Sequence, residues 1–193
     1  MAVMDVPRPE DYLEGMLSRA KKLWGNPAAM LKKLGIRKSM AVADLGCGPG
    51  FFTIPIAGIV GSKGLVCAVD SNPMAIGMLT EAVHSSHATR IKIVKRDVCS
   101  TGLDSSSIDI AFFSNVFHDI KNKASFLKEV HRILKPGGAA IDLDWDKVRR
   151  PTGPPIEITV SKRDAIRMLS KGGFSKIDIM DIGRYHYCLI CRS

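Results

Sequence analysis

Four short stretches of this 193-residue chain have the residue types and spacing for ligand chemistry. The first is Asp44-Leu45-Gly46-Cys47-Gly48-Pro49-Gly50. Glycine has no Cβ, so glycines at alternate positions let the backbone approach a ligand, and amides at a following helix start point at it. A phosphate loop would need a Lys-Ser/Thr pair after the last glycine, but Phe51 and Phe52 stand there. A dinucleotide turn would be spaced G-x-G-x-x-G, whereas this one is G-x-G-x-G behind an acid. Asp44 would repel a phosphate and suits a ligand with a cationic end. Second, Asp70 closes an apolar run, where an acid can accept both hydroxyls of a ribose. Third is Asp97 with Val98, after the run at 91–94. Fourth is Ser114-Asn115-Val116-Phe117-His118-Asp119. His118 titrates near neutrality and is the candidate proton acceptor; as the alternative, His118 and Asp119 only shape the turn, with Asp119 capping the next helix.

These residues sit at the ends of a regular alternation of elements. Apolar runs at 40–43, 64–69, 91–94, 107–113 and 139–144 read as strands. Helices are expected at 51–57, from Pro73 through Leu79, and at 121–134. In Leu134-Lys135-Pro136-Gly137-Gly138, Gly137 is expected to end the helix and Pro136 to block its continuation. Upstream, 9–23 and 27–34 read as two helices separated by Gly25-Asn26-Pro27. Tyr12, Leu13, Met16, Leu17, Ala20 and Leu23 recur at helical spacing in the first. Downstream, a stiff basic connection at 147–155 leads to a helix at 161–172 with Ser161 as N-cap, then strands at 174–180 and 184–191.

The glycine turn resembles motif I of the class I S-adenosylmethionine-dependent methyltransferases, and Asp70, Asp97 and the segment after the fourth strand match that family's further sites in order. The resemblance covers residues 40–145 with specific motifs and is nearest the ubiquinone/menaquinone-biosynthesis-like, type 11 small-molecule branch. It implies one α/β domain over 1–193, with a doubly wound, Rossmann-like seven-stranded sheet, mostly parallel with a terminal antiparallel hairpin. Within it, 1–38 would be a helical extension, 39–145 the cofactor-binding core, and 146–193 the completion of the sheet and the acceptor side. S-adenosyl-L-methionine would be held by Asp44, Gly46, Cys47, Gly48, Gly50, Asp70, Ser71, Asp97, Val98 and Asn115. By the resemblance, Asp97 faces the adenine amino group and the Val98 amide a ring nitrogen. The family's Asn/Asp-Pro-Pro-Tyr/Phe tetrad for amine and amide substrates is missing, as is a Pro-Cys nucleophile for cytosine carbon. That favours a small-molecule acceptor over nucleic acid. RNA or protein methylation, a non-catalytic donor-binding subunit, and an NAD-type dinucleotide-binding protein are the alternatives.

Composition narrows the setting. Residues 120–193 carry fifteen Lys/Arg against eight Asp/Glu, while 41–119 carry five against seven. The basic excess thus lies on the expected acceptor side and suits an anionic substrate, RNA, an acidic surface such as membrane headgroups, or plain solvated faces. Only 6% of residues are aromatic, few for the stacking platforms of single-strand binders. The five cysteines are scattered and odd in number, against a disulfide framework; Cys188 and Cys191, three apart in a strand, should point to opposite faces, and no metal site is expected. No apolar run approaches the ~20 residues that span a bilayer. Asp5, Arg8, Glu10 and Asp11 stand where a signal peptide needs an apolar core, so a cytoplasmic protein is expected.

Overall fold

The computed structural model describes residues 9–192. The expectations resting on Asp5, Arg8 and the side chains of Glu10 and Tyr12 lie outside the described residues. The chain runs α1 (Pro9–Trp24), α2 (Ala28–Lys33), β1 (Ala41–Leu45), α3 (Thr53–Val60), β2 (Leu65–Asp70), α4 (Pro73–Ser86), β3 (Ile91–Lys95), β4 (Ile108–Ser114), α5 (Lys123–Ile133), β5 (Leu134–Trp145), α6 (Lys162–Lys171), β6 (Lys176–Met180) and β7 (His186–Arg192). The seven strands form one sheet in the order β3-β2-β1-β4-β5-β7-β6. Pairings are parallel from β3 to β5, and β7 is antiparallel to both β5 and β6. The expected α/β sheet with its terminal antiparallel hairpin is therefore present.

Central strands β1, β2 and β4 are apolar almost throughout because both of their faces are covered. On one face Ala43, Val69, Phe113, Leu189 and Cys191 pack with Phe126, Leu127, Val130 and Ile133 of α5. On the other, Val42, Val66, Phe112, Ile141, Leu143 and Cys188 pack with Leu31 of α2 and Ile56, Ile59 and Val60 of α3. Cys188 and Cys191 thus lie in opposite layers, as the strand period requires. The strand order reverses between β1 and β4, which opens a crevice beyond their carboxyl ends.

The helix starts follow local chemistry. Asn72 Oδ1 accepts from the amides of Met74 and Ala75, with Pro73 at the first helical position. Ser161 Oγ accepts from Asp164, as expected. A cap of this kind contributes about 1 kcal/mol.

Four sequence expectations are corrected. The cap of α5 is Asn122, whose Oδ1 accepts from the Ser125 amide, not Asp119, which lies three residues too early. α4 continues beyond Leu79 to Ser86. Gly137 does not end α5: the helix stops at Ile133, and Leu134 is already extended and paired with Ile108. Residues 135–138 then bulge out before Ala139 resumes pairing with Ile110, and Gly137 takes φ 76° inside the bulge. Asp109 pins it, bonding the Lys135 ammonium through Oδ1 at 2.7 Å and the Ala41 amide through Oδ2 at 2.7 Å. Lastly, Leu23 does not join the inner stripe of α1; it is exposed, and Trp24 turns inward.

Candidate functional site at the carboxyl edge of the sheet

The glycine turn is drawn against the tips of two neighbouring strands. Gly46 and Cys47 amides both donate to the Val69 carbonyl, at 2.8 and 3.1 Å. Gly46 has φ 71°, and a Cβ there would stand 2.4 Å from Val116 Cγ2, so only glycine lets the turn after β1 touch the turn after β4. Asp70 ties the turn to β2: Oδ2 accepts from the Gly48 amide at 2.8 Å and Oδ1 from Asn72 at 2.9 Å. Each oxygen keeps a further lone pair for a ligand hydroxyl. A Cβ on Gly48 would meet nothing within 4 Å, so the turn faces open space there.

Asp44 lies beneath this turn, buried, and accepts from the Thr53 hydroxyl at 2.6 Å. Burial pushes its carboxyl up to about 7 against the Thr53 bond, with the Asp70 charge adding to the rise. Cys47 is also buried, and burial together with the Asp44 and Asp70 charges pushes its thiol far up, so the sulfur is no nucleophile. Gly50 packs on Leu79 of α4. Ser71 is exposed at the β2 tip. Asp97 is exposed at the next tip and accepts from the Cys99 amide at 2.7 Å, while half-buried Val98 leans on the core. The β3 end joins the others through the Arg96 amide, which donates to the Asp70 carbonyl at 3.1 Å.

After β4, Asn115 takes φ 55° and donates its amide to the Leu143 carbonyl at 2.8 Å. Its Oδ1 and the Ser114 Oγ are buried without hydrogen-bond partners among the described residues. Buried polar atoms are nearly always satisfied, so two orphans side by side at the switch point fit a polar ligand across the edge. The structure brings Asp44, Gly46, Gly48, Asp70 and Asn115 together around the turn, with Asp97 and Val98 at its outer end.

His118 follows on the α5 side of the sheet and is clamped by Asp144 near the end of β5. Its Nδ1 lies 2.6 Å from Asp144 Oδ1, and its backbone amide donates to Oδ2 at 3.1 Å. The ring is 5% exposed, and Nε2 points outward to Asp119, 3.5 Å away. Burial would lower its basicity, but the hydrogen bond and charge of Asp144 outweigh burial and raise it above the ordinary range. Lys123 closes the turn, its ammonium donating to the Ile120 carbonyl at 2.8 Å. Asp142, two residues before Asp144 on the same face, is fully buried, and burial with the Asp144 charge favours its neutral acid. Tyr187 lies close to Asp142 on this face, and among the described residues neither Asp142 oxygen nor the Tyr187 hydroxyl has a partner in good hydrogen-bonding geometry.

Sequence reasoning did not single out Thr53, which bonds Asp44, nor Asp142 and Asp144, of which Asp144 holds His118. Acids at alternate positions in the otherwise apolar Ile141-Asp142-Leu143-Asp144 were the available signal, because a strand places both on one face.

The model of the methyltransferase domain Methyltransf_11 matches residues 43–141. A demethylmenaquinone methyltransferase of Staphylococcus aureus is 28% identical over 148 residues, covering 76% of this chain and 60% of that protein. A SAM-dependent methyltransferase structure from Aquifex aeolicus superimposes with a TM-score of 0.88 at 24% identity, over 96% of this chain and 98% of that one. A phosphoethanolamine N-methyltransferase 2 of Haemonchus contortus, solved in complex with S-adenosyl-L-methionine, gives 0.68 at 20% identity, over 82% and 38%. This chain, with its glycine turn set between the tips of β2 and β4, belongs to the Methyltransf_11 family of class I S-adenosylmethionine-dependent methyltransferase domains.

Proposed function

We propose that this chain transfers a methyl group from S-adenosyl-L-methionine to a small-molecule acceptor in the cytoplasm. The observation that carries the donor assignment is the edge itself: Asp70 fastened to Gly48, open space over that glycine, and the orphaned Ser114 and Asn115 oxygens beside it. Asp70 has lone pairs for a ribose, Asp97 and the Val98 amide are set for the adenine, and the turn from Gly46 to Gly50, with Cys47 and Ser71 backbone, lines the rest. Asp44 acts from below, as negative potential toward the donor's cationic end. Residues 39–145 hold the donor in this reading, and 1–38 with 146–193 shape the acceptor side of one domain. The relative's name, demethylmenaquinone methyltransferase, supports a small molecule, and the basic excess of 120–193 supports a negatively charged one.

The sulfonium of the donor supplies an already activated methyl, so the chain's work is alignment and exclusion of water, worth roughly 7–11 kcal/mol in favourable cases. Where the acceptor sheds a proton, His118 takes it at Nε2 while Asp144 holds Nδ1. Asp70→Ala should weaken donor affinity tenfold or more by calorimetry, since it removes hydrogen bonds to a charged acceptor; unchanged affinity overturns the assignment. Labelled donor incubated with fractionated extract should mark the metabolite fraction, and label confined to RNA or protein would refute the small-molecule reading.

A further inference from the structure

The most one-sided stretch of charge in the chain has no part in the mechanism above. Between Glu14 and Asp44 there are seven Lys/Arg and no acid, from Arg19 on α1 to Lys38 just before β1. All seven are exposed. Among the described residues none of them has an ion pair. Asp44, the acid that ends the run, is buried under the glycine turn. The cations therefore act together on whatever approaches from that side.

The second half of the run walls a groove of about 650 Å³ between α2 and the outward side of α3. Lys32, Arg37 and Lys38 are its exposed members. Ile36 and Ile59 are buried and Ile54 and Pro55 half-buried, so aliphatic surface lies beneath a cationic rim. Gly58 keeps the groove open, since a Cβ there would meet nothing within 4 Å. The same helix turns Ile56, Ala57 and Val60 to the sheet, which leaves this side without a covering element of its own. Ser39 and Met40 bond across to Val60 and Leu65, so the turn carrying exposed Lys63 continues the basic edge. At the other end Leu23, 47% exposed, directly follows Lys21 and Lys22.

We infer that this flank docks on a bilayer surface of anionic phospholipid, with lipid phosphates on Lys32, Arg37 and Lys38 and apolar lipid in the aliphatic groove. A guanidinium fork takes two phosphate oxygens, and each lysine adds a flexible point charge. Unpaired cations in this number, beside an exposed aliphatic residue, are what anionic headgroups attract. Nucleic acid fits less well, because among the described residues no aromatic ring lines the groove to stack a base.

Co-sedimentation of the intact chain with vesicles tests this. Phosphatidylcholine vesicles containing phosphatidylglycerol should carry the protein down, and pure phosphatidylcholine vesicles should not. A protein of net charge +9 is drawn to any anionic surface, so the control must match charge. R37E/K38E and K162E/R163E, the latter at the exposed start of α6, change net charge equally. The first should weaken binding to the anionic vesicles at least tenfold and the second less than threefold. Donor affinity of R37E/K38E by calorimetry should stay within twofold of the parent; a larger loss ties these residues to the donor site and overturns the inference. Equal losses in the two variants, or no binding of the parent to the anionic vesicles, overturn it as well, and the last result decides even where a variant does not fold. Single-stranded RNA or polyglutamate bound more tightly than those vesicles at the same salt does so too.

Discussion

The last two residues of β5 face opposite ways, and two buried histidines answer them. On the α5 side His118 is bonded twice by Asp144 and drawn toward its cation. On the α3 side His186 lies against Trp145 with a bare Nε2 and is held neutral. The two rings are similarly buried, at 9% and 7% exposure, so burial does not separate them. A direct hydrogen bond does: the Asp144 charge reaches both rings, but only His118 is bonded to it, and Arg150 opposes a second cation at His186. The His118 ring is bonded within the protein at Nδ1, whereas among the described residues His186 Nε2 has no partner.

The sharpest way to break this contrast is Asp144→Ala. It strips the His118 ring and amide of their common partner inside the core, and should cost about 3–5 kcal/mol in chemical denaturation. A loss below ~1 kcal/mol, typical of exposed pairs, would show that the clamp is loose. A smaller effect lies in the pH dependence of stability, where the histidines act with opposite signs. His118 binds its proton more tightly when folded, so its contribution is complete below about 6.5 and fades as pH rises through the raised folded value. His186 binds its proton less tightly when folded, so its contribution is complete above about 6.5 and is lost as pH falls toward about 4. H186F should therefore flatten the acid limb and leave the alkaline one, and Asp144→Asn should do the reverse, as followed by thermal melts across pH. The smallest effect concerns the third buried titrating group of this edge. Because Asp44 ionises at about 7, affinity for the cationic donor should rise modestly as pH passes upward through 7, and Asp44→Asn should abolish the slope in calorimetry.

The glycine-turn edge was legible in the sequence because its residues are close in the chain and follow fixed rules. The glycine turn sits directly after a strand, and Asp70 directly ends one. The aromatic cluster on the α3 side was opaque for the opposite reason: Trp24, Trp145 and His186 meet only through sheet pairing and helix packing between distant segments. Helical spacing chose Leu23 for the inner stripe of α1, but the fold uses Trp24, whose larger ring reaches Phe52 and His186. The cap of α5 was misplaced because a proton acceptor and a cap were sought in the same His118-Asp119 pair. The acidic alternation in β5 was readable, but not the ring it would hold.

The excursion at 135–138 bears on all of this from the far end of β5. A strand has two-residue parity, so whatever leads into Ala139 decides which side every later residue looks toward. Lys135, Pro136, Gly137 and Gly138, locked by Asp109, fix that parity for the rest of the strand. Were pairing to resume one position out of step, Asp144 would be delivered to the tryptophan side and Trp145 to the imidazole clamp. A tag with no chemistry of its own thereby keeps the two faces of β5 from exchanging their side chains.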